Sequence, residues 1–221
     1  VASVSGSPFR DYVREQVFRP LGMDDCWIGM PPAVHAGYGD RIARMHAKTD
    51  GTLHEIPELH HAGICEMALG GVNGRGPVRQ LARLLLCLLG GGELDGVELL
   101  RPGTVEQVLR VWRRGASRPE HGADYAWGLG LVVDPRMFVS QLFPSRAFGH
   151  EGNYVCLAFA DPEHDLVVAV VFNGMPDAAA SWFRFRSLTT AIYRELAAVE
   201  ETATIGRRSA FGLFIRTIAE R

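Results

Sequence analysis

The sequence predicts an α+β fold, a mainly helical lobe over residues 1–120 followed by an antiparallel sheet with a C-terminal helix over 121–221. Three observations carry that expectation. Apolar residues recur at helical spacing in the first half, as Tyr12, Val13, Val17 and Phe18 and again as Leu81, Leu84, Leu85 and Leu88. Beyond a polar loop at 115–124 the texture changes to short apolar runs of strand length. Two of those runs, Tyr154–Ala160 and Leu166–Phe172, flank Asp161-Pro162-Glu163-His164-Asp165, a turn of hairpin length.

Taken in order, Ser7-Pro8 supplies a cap and a proline at the first helical position, so the opening helix is expected over 8–18, before Pro20. Between Gly29 and Gly63 the chain is rich in Pro, Gly and His without a sustained period, which predicts irregular connections with at most a short hairpin. Pro77 opens a second helix whose four leucines face one way and which stops at Gly90-Gly91-Gly92. A third helix is expected from Pro102 to about Arg113. Strands are expected at Trp127–Val133, Ala147–Gly149, Tyr154–Ala160 and Leu166–Phe172. A helix from about Ala178 to Val199 and a short tail helix, Arg208–Ala219, complete the chain.

Composition narrows the function classes. With 23 basic and 25 acidic residues the net charge is −2, too balanced for a field that draws in nucleic acid. The longest apolar runs fall far below the ~18 residues of a membrane span. Lys48 is the only lysine, and Ala47 stands where a phosphate-binding P-loop needs glycine. Cys26, Cys65, Cys87 and Cys156 form no C-x-x-C pair and read as buried reduced thiols, and no secretory signal opens the chain, which points toward the cytoplasm.

Four landmarks then stand in a fixed order. Pro8-Phe9 leads through to Pro20-Leu21-Gly22-Met23, and Gly70-Gly71 precedes the Leu-rich helix. Gly90-Gly91-Gly92-Glu93-Leu94-Asp95-Gly96 follows, and then Phe148-Gly149-His150-Glu151-Gly152 with Asp161-Pro162-Glu163 and Phe172-Asn173. Together they resemble the β-lactamase-related serine hydrolases, the family of class C β-lactamases, D-alanyl-D-alanine peptidases and esterases with the β-lactamase and penicillin-binding-protein fold. The resemblance implies hydrolysis of a small-molecule ester or amide through a serine acyl-enzyme, with neither metal nor organic cofactor. The competing class is a non-catalytic binding or scaffold protein that keeps the cleft and has lost the chemistry.

The resemblance also implies three catalytic motifs, and two are missing. Ser-x-x-Lys fails because Met45 precedes Lys48 by three positions, and none of the five tyrosines, Tyr12, Tyr38, Tyr125, Tyr154 and Tyr193, is followed two residues later by asparagine. The chain therefore looks like a C-terminal portion that begins downstream of both, without the N-terminal strands of the fold. The third motif matches as His150-Glu151-Gly152, the family's His-x-Gly on a sheet strand. His150 is expected to hydrogen-bond within the site, Gly152 to admit substrate close to the strand, and the backbone N–H of Asn153 to donate into an oxyanion hole. Losing the upstream strands would leave the uncharged run Leu166–Phe172 open to self-association along its edge.

Three other patterns compete. Lys48-Thr49-Asp50-Gly51 imitates Lys-Thr-Gly, but its spacing is wrong and its context reads as a polar turn. His54, His60, His61 and Cys65 have ligand types suited to zinc, yet their spacing fits no zinc finger or His-Glu-x-x-His, and Pro57 breaks any helix that would align them; solvated or locally bonded histidines are expected. Phe211, Phe214, Ile215 and Ile218 in the tail form an apolar stripe expected to dock on the protein's own body.

Overall fold

The structure is a computed structural model that describes residues 1–205 apart from 50, 72, 116–124, 135, 137–145 and 153–154. The expected tail helix lies outside the described residues.

The first half is built from short elements. Helix α1 (Ala2–Ser5) ends at Gly6 in a left-handed conformation, and α2 (Phe9–Val13) runs into a π-turn over Arg14–Phe18, together filling the helix expected over 8–18. Strand β1 (Trp27–Ile28) precedes α3 (Pro32–Tyr38), and β2 (His46–Thr49) pairs antiparallel with β3 (Thr52–Glu55). The Lys48 segment is thus a strand leading into a hairpin, not a polar turn. Lys48 and Thr49 find ladder partners in Leu53 and Thr52, which a residue-by-residue reading of polarity does not register. Helix α4 (Ala62–Glu66) and β4 (Gly74–Arg75), which pairs with β1, lead to α5 (Val78–Leu89).

Helix α5 starts after Pro77 and stops at the glycines as expected, but its leucines do not all face one way. Leu84 and buried Cys87 pack on Phe18, Leu21, Met23 and Cys26, while Leu85 and Leu88 pack on the sheet. An apolar stripe wide enough for two neighbours lets the helix bridge the N-terminal segment and the sheet. Strands β5 (Glu93–Leu94) and β6 (Val97–Glu98) form a tight hairpin over Asp95-Gly96, both at positive φ.

Helix α6 (Pro102–Leu109) is shorter than expected, because Arg110 turns extended and the chain enters β7 (Arg113–Arg114). β7 pairs with β8 (Ala126–Trp127). The expected strand Trp127–Val133 is also broken: Gly128 N–H donates to Leu131 O at 2.8 Å, Gly130 adopts φ 80°, and the chain folds back so that Val132 bridges Trp127. The apolar alternation was real, but two glycines within three residues made a turn cheaper than a strand.

The central sheet has the order β11–β10–β9, all antiparallel, from β9 (Phe148–Gly152), β10 (Cys156–Asp161) and β11 (Leu166–Val171). Strand β12 (Gly174–Met175) then pairs parallel with β2, and helix α7 (Ala178–Ile205) closes the described chain. The period-2 register divides the sheet's side chains cleanly. Phe148, Ala158, Ala160 and Val167 join Leu85, Leu88 and Val105 on the α5 side. Leu157, Phe159, Val168 and Val170 join Phe185 and Tyr193 on the α7 side. The sheet is covered by a helix on each face, so its middle strand is the core.

One polar anchor sits in that core. Asp161, fully buried at the β10–β11 turn, accepts from Tyr193 Oη at 2.6 Å and Glu163 N–H at 3.0 Å and pairs with His164 Nδ1 at 2.8 Å. These contacts pin the turn to α7 and satisfy a carboxylate that would otherwise be costly to bury.

Candidate active site

The site is assembled on β9. Phe159 of β10 crosses so close to Gly149 that a Cβ there would overlap the Ala158 carbonyl oxygen and the Phe159 backbone, so glycine is required. Gly149 exchanges two hydrogen bonds with Val132, N–H to O at 2.9 Å and O from N–H at 2.8 Å. That exchange fixes the parity of the strand: His150 pairs with Ala158 toward β10, and Gly149 and Glu151 turn their backbone groups toward the opposite edge.

His150 is half-buried. Its Nδ1 contacts the Glu151 carbonyl oxygen, and its ring meets Trp127 edge-on at 5.6 Å between centroids. Trp127 is itself flanked by the Arg113 guanidinium, 5.9 Å from its ring centroid. The indole Nε1–H of Trp127 is buried with no hydrogen-bond partner among the described residues. Trp127 was missed as a site residue because its segment reads as a strand; the glycines at 128 and 130 were the signal that the chain returns there and holds the indole against β9.

Gly152 lies opposite Cys156, whose thiol donates to the Gly152 carbonyl at 3.3 Å. A Cβ on residue 152 would stand 2.6 Å from that sulfur, so any other residue would push into the strand pair. Burial pushes the Cys156 thiol up, against the lowering effect of the Gly152 bond, so it stays protonated and is a poor nucleophile. Asn153, the expected oxyanion donor, lies outside the described residues.

The competing patterns resolve into local roles. His60 Nε2 accepts from Met45 N–H at 2.8 Å, and burial with Arg75 and Arg44 nearby lowers its pKa, keeping it a neutral acceptor. His61 caps α4 by accepting from Gly63 N–H at 3.2 Å, His54 sits on exposed β3, and buried Cys65 turns its sulfur to the Leu59 carbonyl. Among the described residues no three potential ligand side chains converge as a metal site requires. Cys26, Cys65 and Cys87 are buried free thiols, and burial pushes Cys26 up to about 11. The Gly-rich loop is held by Asn73, whose amide donates to the Ile64 and Met67 carbonyls at 2.5 and 2.7 Å. No helix among the described residues is long and apolar enough to cross a membrane.

Known proteins resemble this chain in sequence and in fold. The family model described as Beta-lactamase matches residues 1–191. A protein of Salmonella schwarzengrund named "Putative D-alanyl-D-alanine carboxypeptidase" is 24% identical over 196 residues, covering 78% of this chain and 42% of its own length. An uncharacterized protein of Mycobacterium tuberculosis is 25% identical over 190 residues, covering 80% and 46%. The chain therefore spans less than half the length of the curated relatives it matches. A penicillin-binding protein homologue from Caulobacter crescentus superposes with a TM-score of 0.62 at 25% identity, over 83% of this chain and 52% of its own. EstA from Arthrobacter nitroguajacolicus gives 0.65 at 20% identity, over 90% and 56%, a likeness of fold.

Proposed function

This chain belongs to the β-lactamase family, and from that premise we propose that it supplies the oxyanion-side strand of a serine hydrolase acting on a small ester or amide. The helical residues 1–120 and the sheet residues 121–221 are assigned to one catalytic domain. The observation that carries the reading is β9 itself, with His150 and Gly152 at its end, glycine where substrate must approach, and an edge whose outward groups alternate from Gly149 to Glu151.

In the proposed reaction a serine oxygen attacks the acyl carbon as its proton passes to a base, the carbonyl oxygen becomes negative and accepts from the N–H of Asn153, and the tetrahedral carbon then expels the alcohol or amine, which takes up that proton. Glycine at 152 spares the strand end a Cβ that would strike the Cys156 sulfur, so the strand stays paired beside the proposed donor. His150, braced by Trp127, orients the polar groups around the acyl carbon. The serine and its base are not drawn from these residues: the 221 residues contain no Ser-x-x-Lys or Tyr-x-Asn, so this chain alone is assigned no turnover. That same absence favours the second reading, a scaffold that retains the cleft without the chemistry.

A fluorophosphonate probe applied to the natively expressed product separates the two. Labelling of a serine on that product supports the hydrolase, and no labelling of a folded product supports the scaffold. In a labelled, active form, Asn153→Pro removes the donor and should lower kcat by about 10²-fold, whereas Asn153→Ala should cost little. Equal kcat for the proline variant with retained folding removes Asn153 from the oxyanion hole.

A further inference from the structure

We propose, resting on the hydrolase reading, that Cys156 is a positioning residue whose thiol holds the Gly152 carbonyl and so aims the peptide unit carrying the proposed oxyanion donor. Gly152 and Cys156 are cross-strand partners where β9 ends. The Gly152 carbonyl there accepts from Val155 N–H at 3.0 Å and from the Cys156 thiol at 3.3 Å. A peptide unit is planar, with its C=O and N–H on opposite sides. Donors that draw the carbonyl toward β10 therefore turn the amide hydrogen of that unit toward the Val132 side of β9, where Gly149 presents its own N–H and C=O.

The thiol adds a restraint that the turn alone does not give. Its sulfur stands over the strand, 2.6 Å from where a Cβ on residue 152 would lie. A glycine leaves its own dihedrals loose, so the peptide that follows it can rock unless something grips it from the face of the sheet. Cys156 supplies that grip, and the missing Cβ makes room for the sulfur. Its backbone is fixed on the far side by pairing with Val171 of β11, so the donor is mounted on the middle strand.

Burial keeps the thiol protonated, as donation requires. A thiol is a weak donor, but this one acts on the aim of a single amide, and small misplacements are costly where reacting groups must be aligned.

Two variants that both lose the sulfur test the role, because Cys156→Ala removes the donor and Cys156→Ser keeps an O–H in its place. A general loss of packing lowers the two alike, and only a donor effect separates them. In the natively expressed, fluorophosphonate-reactive product, Cys156→Ala should lower kcat on a short-chain nitrophenyl ester about fivefold at unchanged KM, and Cys156→Ser should restore most of it. Labelling with carbonyl-13C glycine and 15N asparagine singles out Gly152-Asn153, the only Gly-Asn step in these residues. Its resonance should shift in Cys156→Ala and return in Cys156→Ser. Equal kcat in the two variants, an effect confined to KM, or an unmoved resonance overturns the role of Cys156 and leaves the hydrolase reading standing. A folded wild-type product that the fluorophosphonate does not label overturns both.

Discussion

Among the described residues, the two margins of the central sheet are built on opposite plans. Beyond β9 the chain turns through Val132, Trp127 and β7, so that the sheet fades out over single bridges and finishes in two exposed arginines. Those arginines cannot be covered by an identical strand without setting like charges together, which is how natural sheets keep an edge from pairing. Asp134 stitches the same margin from within, accepting from Ala126 N–H at 3.3 Å and from Arg136 through its backbone N–H, Nε and Nη2. At the β11 margin six uncharged residues run along the outermost strand of the described sheet, with a polar anchor, Asp161, at the turn. The proposed chemistry lies at the first margin, where backbone groups of β9 face outward beside His150. The second margin is a plain ladder, and the difference teaches that an edge is specified by its charges and bends rather than by its strand propensity.

The largest expected effect comes from breaking the strand both margins share. Phe159 is fully buried between β9 and α7, and Phe159→Ala should cost about 3–5 kcal/mol in urea unfolding. A loss below 1 kcal/mol would mean that the two margins do not lean on β10.

A middle-sized effect tests the stitched margin. Burial acts to raise the Asp134 pKa, but the hydrogen bonds and charge of Arg136 and the Ala126 N–H outweigh it and hold the group below its ordinary 3.8. A depressed folded-state value contributes stability that is present above the unfolded pKa and is lost as pH falls through the folded one. Asp134→Asn should therefore lower stability by about 1–2 kcal/mol at pH 7 and narrow the gap to wild type below pH 4. An equal gap at pH 7 and pH 3 would refute the ionised role.

The smallest effect on stability should be the most telling about the edges. Replacing Arg113 and Arg114 together by valine should change unfolding free energy by no more than about 0.5 kcal/mol. Light scattering should nevertheless show new association at that margin. No association from the double variant would show that the bend at Gly128–Leu131, rather than the charges, protects it.

Much of this was readable from local pattern. Helices starting at Pro8, Pro77 and Pro102, the β10–β11 hairpin around Asp161-Pro162, and His150 and Gly152 on a strand follow from spacing and turn chemistry that act within a few residues. The misses are matters of backbone hydrogen bonding. Trp127–Val133 alternates like a strand but is turned by Gly128 and Gly130, Lys48-Thr49 reads like a turn but pairs with Leu53 and Thr52, and the helix expected to reach Arg113 stops at Leu109 because the next residues pair with β8.

By itself the sequence determined the α+β class, the helices opening at Pro8, Pro77 and Pro102, the hairpin at Asp161-Pro162, the uncharged run Leu166–Phe172, and the absence of Ser-x-x-Lys from these residues. All of these depend on residue identity and on periodicity along a single stretch. Only the tertiary structure decided that α5 would divide its leucines between two neighbours, that Trp127 would stand against His150, and that Gly149 would be the residue β10 presses upon. Each of those is a close approach between segments separated by about ten to seventy residues, and close-packed contact is set by which surfaces meet, which no local periodicity encodes.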